Sequence, residues 1–305
     1  MASQAWNVVG LGEVLWDVYD DERFFGGAPA NFACHAQSLG AGSTIVSAVG
    51  GDELGREAIA WMQSRALSID YVTEDPVYPT GSVRVQLDAA GRPEYRFAAD
   101  VAWDHLHCSE RWLRLAEKTN AVCFGTLAQR CHASQQAIAQ FLDAVPKDAL
   151  RVFDVNLRQN FFSDDVIRTS LARCDVLKLN EDEWTVVACA GLQGWREPAA
   201  SDSDEAAMQS AMEQLIERYG LRCVALTLGA RGSMVWAEGT WDRQIPQPME
   251  VVDTVGAGDA FSAALIMGFL HGEPLAALHR RASRIAAYVC TQRGAVPQLP
   301  DELME

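Results

Sequence analysis

Residues 251–269 read VVDTVGAGDAFSAALIMGF, which predicts a strand end, a glycine turn and a helix in direct succession. The β-branched Val251 and Val252 indicate the end of a buried strand, and an Asp-Thr pair then turns the chain. Small residues continue to Gly258, after which apolar residues recur at helical spacing with no proline. Asp259 therefore lies in the first turn of the predicted helix.

The start of this helix has the chemistry of an anion site beside a base. The first N–H groups of a helix lack intrahelical partners, the helix dipole places partial positive charge there, and glycine lets a large anion approach the main chain. Such N–H groups suit a transferring phosphoryl group, and Asp259 would take the proton of the hydroxyl that attacks it. The dipole is expected to keep Asp259 ionised. The alternative is an ordinary strand-to-helix turn with an acidic first turn.

Residues 253–261, DTVGAGDAF, closely resemble the C-terminal signature of the ribokinase-like (PfkB) carbohydrate kinases. Residues 24–41, FFGGAPANFACHAQSLGA, resemble the first signature of the same family, in which a Gly-Gly pair precedes an asparagine that binds the sugar. The resemblance covers essentially the whole chain, with both signatures in the expected order. It implies a sugar kinase that uses ATP and Mg²⁺.

The composition argues against several other classes of protein. The chain has 305 residues, of which 49% are hydrophobic and 22% charged, and its net charge of −16 disfavours a nucleic-acid partner. No apolar run approaches the about 20 residues of a membrane span, and residues 1–10 show neither the basic region nor the apolar core of a secretion signal. We therefore expect a cytoplasmic protein with no membrane partner, whose eight cysteines are mainly reduced core residues.

Other nucleotide-binding motifs are absent from the sequence. There is no GxxxxGK[ST], which excludes a P-loop. Gly10 and Gly12 do not begin a dinucleotide fingerprint, because Leu15 stands where a third small residue is needed. Only three lysines occur, Lys178 among them. Phosphate binding is therefore expected to rely on the backbone, arginine or a metal.

Alternating strand and helix patterns from Leu106 onwards predict one doubly wound α/β domain over residues 1–305. Its central sheet is expected to be mostly parallel and flanked by helices. A period-two pattern predicts an additional hairpin, so residues of about 14–27 and 77–104 are expected to form a small β-sheet lid. In the resembling family such strands cover the sugar and often form the dimer contact, which implies a homodimer through the lid.

The resemblance also implies roles for residues around the sugar. Asp259 would be the base, and the amides from Val255 through Gly258 would form the anion hole. Asp17 and Arg158 follow predicted strands, where open α/β sheets place ligand contacts. The expected catalytic residues are Asp259, Gly256, Ala257 and Gly258. The expected substrate-binding residues are Asp17, Gly27, Asn31, Arg158 and Trp103.

The nucleotide and metal ions are expected near a second motif. Asn180 and Glu183 match the NxxE motif of the family, which implies that Glu183 acts on Mg²⁺ indirectly. The alternative is a helix start with an asparagine cap and an acidic first turn. The expected nucleotide-binding residues are Asn180, Glu183, Thr227, Gly229, Gly232, Gly258 and Cys290. A monovalent-cation site, for K⁺, is expected at Asp253, Val255 and Gly294, mostly through backbone carbonyl oxygens.

The motifs favour transfer of the ATP γ-phosphoryl group to a primary hydroxyl of a monosaccharide. The segments GLGEVLWD, GGAPANFA and DVNLR are most similar to fructokinases. The main alternative is 2-keto-3-deoxygluconate kinase, whose carboxylate substrate would need Arg84, Arg96 or Arg158. A nucleoside kinase and a sugar-binding regulator without catalysis are further alternatives. The intact Asp259 and glycine turn argue against the regulator.

Overall fold

The computed structural model describes residues 6–19, 22–87, 93–195 and 204–304, so the turn of the predicted hairpin lies outside the described residues. The strands are β1 (Asn7–Leu11), β2 (Leu15–Val18), β3 (Arg23–Gly26), β4 (Gly42–Gly50), β5 (Val72–Asp75), β6 (Gly81–Leu87), β7 (Pro93–Phe97), β8 (Ala121–Phe124), β9 (Leu150–Asp154), β10 (Val176–Asn180), β11 (Cys223–Thr227), β12 (Ser233–Ala237) and β13 (Thr240–Gln244). The helices are α1 (Ala28–Ser38), α2 (Glu53–Ser64), α3 (Glu110–Ala116), α4 (His132–Ala144), α5 (Asp164–Leu171), α6 (Glu181–Gly191), α7 (Asp204–Tyr219), α8 (Ala257–Leu270), α9 (Leu275–Cys290) and α10 (Asp301–Met304).

The main sheet is mostly parallel. Within the described residues it has nine strands in the order β13-β12-β11-β10-β9-β8-β1-β4-β5. All neighbours from β11 to β5 pair in parallel, and β12 and β13 add an antiparallel edge. After β1 the chain adds β4 and β5 on one side of β1. It then crosses back and adds β8 and the later strands on the other side. This reversal confirms the predicted doubly wound α/β fold, and it creates a crevice beside the end of β1.

Helices cover both faces of the main sheet. Helices α1, α8 and α9 pack on one face, and α3 to α7 pack on the other. Helix α8 is buried on all sides from Ala260 to Gly268, because it lies between α1 and α9. A helix that is apolar around its whole circumference belongs inside a protein. In the described part of the chain, no helix is both long and apolar enough to cross a membrane.

A second, smaller sheet stands apart from the main one, and we call it the small sheet. Its described strands are ordered β3-β2-β6-β7, and they come from the two segments predicted to form a lid. Asp52 fixes its connection to the core, because its Oδ1 caps α2 by accepting from Gly55 N (2.8 Å) while its Oδ2 accepts from Thr80 N (2.8 Å). That this sheet closes over a substrate stays a prediction.

The predicted strand end at Val251 and Val252 is wrong. Their side chains are 57% and 55% exposed, and the segment between β13 and α8 has no regular structure. The amides of Val252 and Asp253 instead donate to the carbonyl oxygen of Cys290, at 2.9 and 3.2 Å. The loop is therefore attached to the end of α9 rather than to the sheet.

Candidate active site

A cavity of about 520 Å³ opens where the carboxyl ends of β1, β10 and β11 approach the small sheet. Val83, Tyr95 and Phe97 of the small sheet form part of its wall, and residues 254–256, 258 and 259 form another part. Its volume is typical of small-molecule sites. Its position is the crevice where doubly wound sheets bind ligands.

The glycine turn before α8 adopts a backbone conformation that a side chain would not allow. Gly256 has φ +79°, and a Cβ there would lie 2.2 Å from the carbonyl oxygen of Ala295. The first intrahelical bond runs from Ala260 N to Gly256 O at 2.9 Å. The amides of Gly258 and Asp259 precede that bond, so the helix does not use them.

The predicted anion hole has fewer available amides than expected, because two of its four amides donate hydrogen bonds inside the turn. Val255 N donates to Asp253 Oδ1 at 3.0 Å, and Ala257 N donates to Thr254 O at 3.3 Å. Both glycines of the turn line the cavity, whereas Ala257 is not among the described residues that do. The amides of Gly256 and Gly258 therefore remain for a main-chain anion site, together with the helix amide that follows Gly258.

Asp259 lies at the base of the cavity, beside this turn. Its Oδ2 accepts a hydrogen bond from Asn31 Nδ2 at 2.8 Å. Burial raises the pKa of Asp259 to about 6, and the negative charge of Asp154 adds to this effect. The Asn31 hydrogen bond and the positive charges of Lys178 and Arg158 act in the opposite direction. The helix dipole therefore does not hold this pKa low, although Asp259 is still mainly ionised at pH 7.

Four of the predicted sugar residues share the cavity wall: Asp17, Gly27, Asn31 and Arg158. Burial raises the pKa of Asp17 to about 6, and the nearby Arg158 charge limits that rise. Asn31 already donates its amide hydrogen to Asp259, and its Oδ1 is buried without a partner among the described residues. A hydroxyl donor is what this oxygen needs. The sugar-binding role of these four residues stays a prediction.

Trp103 is not among the described residues of the cavity wall, and its contact with the sugar stays a prediction. It is 1% exposed, and the guanidinium of Arg130 lies 4.1 Å from its ring centroid. The indole lies against the start of β6, since a Cβ on Gly81 would come within 2.1 Å of its Nε1. A tight turn directs Trp103 into the core, where it supports the small sheet.

The NxxE motif forms a capping box at the start of α6. Asn180 Oδ1 accepts from Glu183 N at 3.0 Å, and Glu183 Oε2 accepts from Asn180 N at 2.9 Å. Glu183 Oε1 accepts from Leu157 N at 2.9 Å. Asn180, Glu183 and Thr227 line the cavity. Because amides engage both oxygens of Glu183, this carboxylate suits contact with a metal ion through water.

Three predicted nucleotide residues, Gly229, Gly232 and Cys290, are not among the described residues of the cavity wall. Gly232 has φ +95°, and a Cβ there would lie 1.9 Å from Gln244 O, so its role is in the turn between β11 and β12. The Cys290 carbonyl holds the loop before α8, as described above. The nucleotide-binding role of these three residues stays a prediction.

The residues predicted for a monovalent cation form one cluster. Asp253 Oδ1 accepts from Val255 N at 3.0 Å, and Asp253 Oδ2 accepts from Gly294 N at 3.1 Å. The carboxylate thus joins two loops, and backbone carbonyls are the oxygens left for a cation. Among the described residues, no group of three or more His, Cys, Asp or Glu side chains is placed to hold a metal.

Sequence reasoning missed a buried ion pair at the floor of the cavity. Lys178 Nζ lies 2.9 Å from Asp154 Oδ1, and Ser262 Oγ donates to Asp154 Oδ2 at 2.9 Å. Lys178 lines the cavity, so the expectation that lysine takes no part in phosphate binding loses its basis. The available signal was a lysine inside the apolar strand VLKLN.

A sequence profile for the pfkB family carbohydrate kinases matches residues 7–302. The chain belongs to this family. The match includes every residue named above for the cavity, and it confirms the predicted family and the predicted kinase class.

Relatives of this kinase differ in their substrates. An ATP-dependent 6-phosphofructokinase from Thermoanaerobacterium thermosaccharolyticum is 28% identical, over 97% of this chain and 91% of the relative. A fructokinase from Klebsiella pneumoniae is 29% identical, over 95% of each chain. The crystal structure of 2-dehydro-3-deoxygluconokinase from Thermotoga maritima superimposes with a TM-score of 0.84 at 20% identity, covering 98% of each chain. This last likeness shows the fold.

Glu13 is a second residue of the kinase that sequence reasoning missed. It lines the cavity and is 1% exposed. Its Oε1 accepts from Ala28 N, the first residue of α1, at 3.2 Å, while Oε2 is buried without a described partner. Burial raises the pKa of Glu13 to about 7, and the negative charge of Asp259 contributes to the rise.

We predict that Glu13→Gln stabilises the kinase at pH 8 but not at pH 4.5. The folded pKa of about 7 lies above the ordinary value of 4.5, so folding favours protonated Glu13 and wild-type stability falls as the pH rises through this window. The difference corresponds to roughly 3 kcal/mol of unfolding free energy. Urea unfolding at both pH values measures it.

The matched control is Glu117→Gln, which changes an exposed carboxylate in the same way. The control is expected to leave stability nearly unchanged at both pH values. A Glu13→Gln effect of equal size at pH 4.5 and pH 8 would contradict the assigned titration.

Proposed function

We propose that this kinase transfers the γ-phosphoryl group of ATP to a primary hydroxyl of fructose. The observation that carries the proposal is Asp259, a carboxylate at the start of α8 that is held by Asn31 and lies beside the main-chain anion turn. A base and an anion site on one cavity wall match phosphoryl transfer to a hydroxyl. The ATP-dependent relative supports ATP as the donor.

The protein groups divide the reaction between them. Asn31 fixes Oδ2 of Asp259, so Oδ1 receives the proton of the attacking hydroxyl. The hydroxyl oxygen forms the new bond to phosphorus, the bond to the bridging oxygen of ATP breaks, and ADP leaves. The amides at Gly258 and Asp259 stabilise the negative charge on the transferred group. Residues of the small sheet exclude water, which would otherwise compete as the acceptor.

The residues at the far end of the cavity fit a metal-bound nucleotide. Glu183 keeps lone pairs on two fixed oxygens, and Asn180 and Thr227 lie beside it. Mg²⁺ retains several of its waters in nucleotide sites, and Glu183 would hold it through such waters. When bound, the ion neutralises phosphate charge.

The charge of the cavity supports a neutral sugar. Glu13, Asp17 and Asp259 face its sugar end, and Arg158 is the cationic side chain whose charge acts on all three. A sugar phosphate or sugar acid would meet repulsion from these carboxylates. Fructose, a neutral ketose with a primary hydroxyl, avoids it, and the fructokinase relative supports this choice.

The position of Arg158 in the cavity wall supports 2-keto-3-deoxygluconate as the second candidate substrate. It lines the cavity and would pair with the carboxylate of that substrate. Arg84 and Arg96 face each other across β6 and β7 and are exposed, and they are not among the described residues of the wall. The choice between the two substrates therefore depends on Arg158.

We predict that the kinase turns over fructose in a coupled ADP-release assay and that Asp259→Asn lowers kcat by roughly 10²–10⁴-fold, because the amide cannot accept the proton. Sugar affinity should change little. The panel is fructose, ribose, tagatose, adenosine and 2-keto-3-deoxygluconate, each with ATP and Mg²⁺. Asp165→Asn, an exposed carboxylate in the first turn of α5, is the matched control.

Turnover of the keto acid in place of fructose would overturn the fructose assignment. It would support 2-keto-3-deoxygluconate as the substrate, with Arg158 as the partner of its carboxylate. Near-normal kcat in Asp259→Asn would remove Asp259 from the role of base. Tight sugar binding without turnover of any panel member would instead support the alternative of a sugar-binding regulator without catalysis.

The pH dependence of the reaction follows from the raised carboxyl pKa values. Below about pH 6 Asp259 is protonated and cannot accept a proton, and Asp17 titrates in the same range. We predict that kcat/KM, which reports groups of the free enzyme, falls at least about tenfold per pH unit below pH 6 and is level above pH 7.5. Initial rates between pH 4.5 and 8.5 at constant ionic strength test this, and a level profile down to pH 5 would contradict it.

We propose that K⁺ binds among the backbone carbonyls near Asp253, which holds the loops of Val255 and Gly294 together. Because this cluster adjoins the anion turn, K⁺ is expected to raise kcat. Rates in K⁺, Na⁺ and choline buffers of equal ionic strength measure the effect, and identical rates would exclude it.

The homodimer through the small sheet also stays a prediction.

A further inference from the structure

An ammonium group lies directly against the anion turn. Lys178 projects from β10, and its side chain is 9% exposed. A Cβ on Gly258 would come within 2.8 Å of its Nζ, so the absence of a side chain at Gly258 leaves the space that this ammonium occupies. Both residues line the cavity. The positive charge therefore stands next to the amides that would hold the transferred phosphoryl group.

The ammonium is held in place by a defined set of contacts. Asp154, on the neighbouring strand β9, is 3% exposed and accepts from Lys178 Nζ at 2.9 Å. Asp154 is in turn fixed by Ser262 Oγ, one helical turn after Asp259 on α8. A lysine ammonium has three protons. Asp154 is its one described acceptor, so two protons are available for another anion.

The energetics of this pair point to a role beyond stability. Replacing a buried ion pair with well-packed apolar residues is often neutral or stabilising, because desolvation offsets the attraction. The pair here joins β9 to β10, which are already paired by their main chains at this register. The positive charge of Lys178 would have a functional role if it bound an anion in the cavity.

The anion turn alone supplies little charge. A helix N-terminus is equivalent to roughly half a positive charge, and two of the predicted amides are engaged inside the turn. Lys178 and Arg158 are the cationic side chains among the described residues of the wall. The charge of Arg158 acts on Glu13, Asp17 and Asp259, whereas Lys178 lies directly against Gly258 of the anion turn.

We propose that Lys178 is a catalytic residue whose ammonium contacts an oxygen of the transferred phosphoryl group, with Asp154 and Ser262 as positioning residues. The inference rests on the proposed phosphoryl transfer, but not on the identity of the sugar. The competing explanation is that Lys178 and Asp154 only join β9 to β10. That explanation predicts a loss of stability and no selective loss of affinity for the terminal phosphoryl group.

The experiment uses a double variant, Lys178→Met with Asp154→Asn, because removing Lys178 alone would leave Asp154 buried and unpaired. Affinities for ADP and for the non-hydrolysable analogue AMP-PNP, each with Mg²⁺, are measured by calorimetry. We expect the ratio of the ADP Kd to the AMP-PNP Kd to fall at least about tenfold, the magnitude of a lost charge-assisted hydrogen bond. With the accepted sugar, kcat should fall roughly 10²–10³-fold.

Two controls separate a specific effect from misfolding. Lys147→Met removes an exposed lysine and should change neither ratio nor kcat. The single variant Asp154→Asn keeps the ammonium but loses its ionic anchor, so it should reduce kcat less than the double variant. Circular dichroism and the unfolding midpoint establish that each variant is folded.

The outcomes are distinct from those of the sugar panel. A folded double variant with a wild-type affinity ratio overturns the proposal, even if the wild type phosphorylates fructose. A selective loss of AMP-PNP affinity supports it, even if no sugar of the panel is turned over. If the double variant does not fold, the ratio is measured in Lys178→Gln, and an unchanged ratio there also overturns the proposal.

Discussion

Helix α8 can begin only where Gly256 fits against the loop of Ala295. A Cβ at Gly256 would lie 2.2 Å from the Ala295 carbonyl oxygen, and its φ of +79° suits glycine. The helix behind it is buried from Ala260 to Gly268 and cannot slide without breaking that packing. The start of the helix is therefore fixed, and with it the position of Asp259. Asn31 on α1 meets Asp259 because α1 packs against α8.

Local patterns predicted much of this fold, since the strands around the cavity are short apolar runs that end in polar residues. They failed at Val251 and Val252, because β-branched residues do not distinguish a strand from a loop held by main-chain hydrogen bonds. Contacts between distant residues have no local signature: Asn31 and Asp259 are 228 positions apart. The low number of lysines in the chain suggested that none binds phosphate. That number says nothing about where a lysine lies, and Lys178 is buried because it belongs to the apolar strand β10.

Hydrogen-bond geometry alone does not make a site, as another cluster in this kinase shows. Ser233 Oγ lies 2.7 Å from His279 Nε2, and His279 Nδ1 lies 2.6 Å from Asp242 Oδ2. These distances match a nucleophile, a base and its orienting carboxylate. However, His279 is 0% exposed and Ser233 is 4% exposed, so the cluster joins β12 and β13 to α9. Asp259 differs because it faces a cavity.

The cavity is polarised along its length, and this polarity lowers the stability of the folded protein. Burial raises the pKa values of Glu13, Asp17 and Asp259, which means that the fold keeps carboxylates where water solvates them poorly. Sugar hydroxyls would supply the missing donors at that end. Lys178 places positive charge at the other end, against the anion turn. In the proposed reaction these opposite charges would orient the hydroxyl acceptor and the phosphoryl donor, so closure of the small sheet would have to exclude water but would not have to create the electrostatic field.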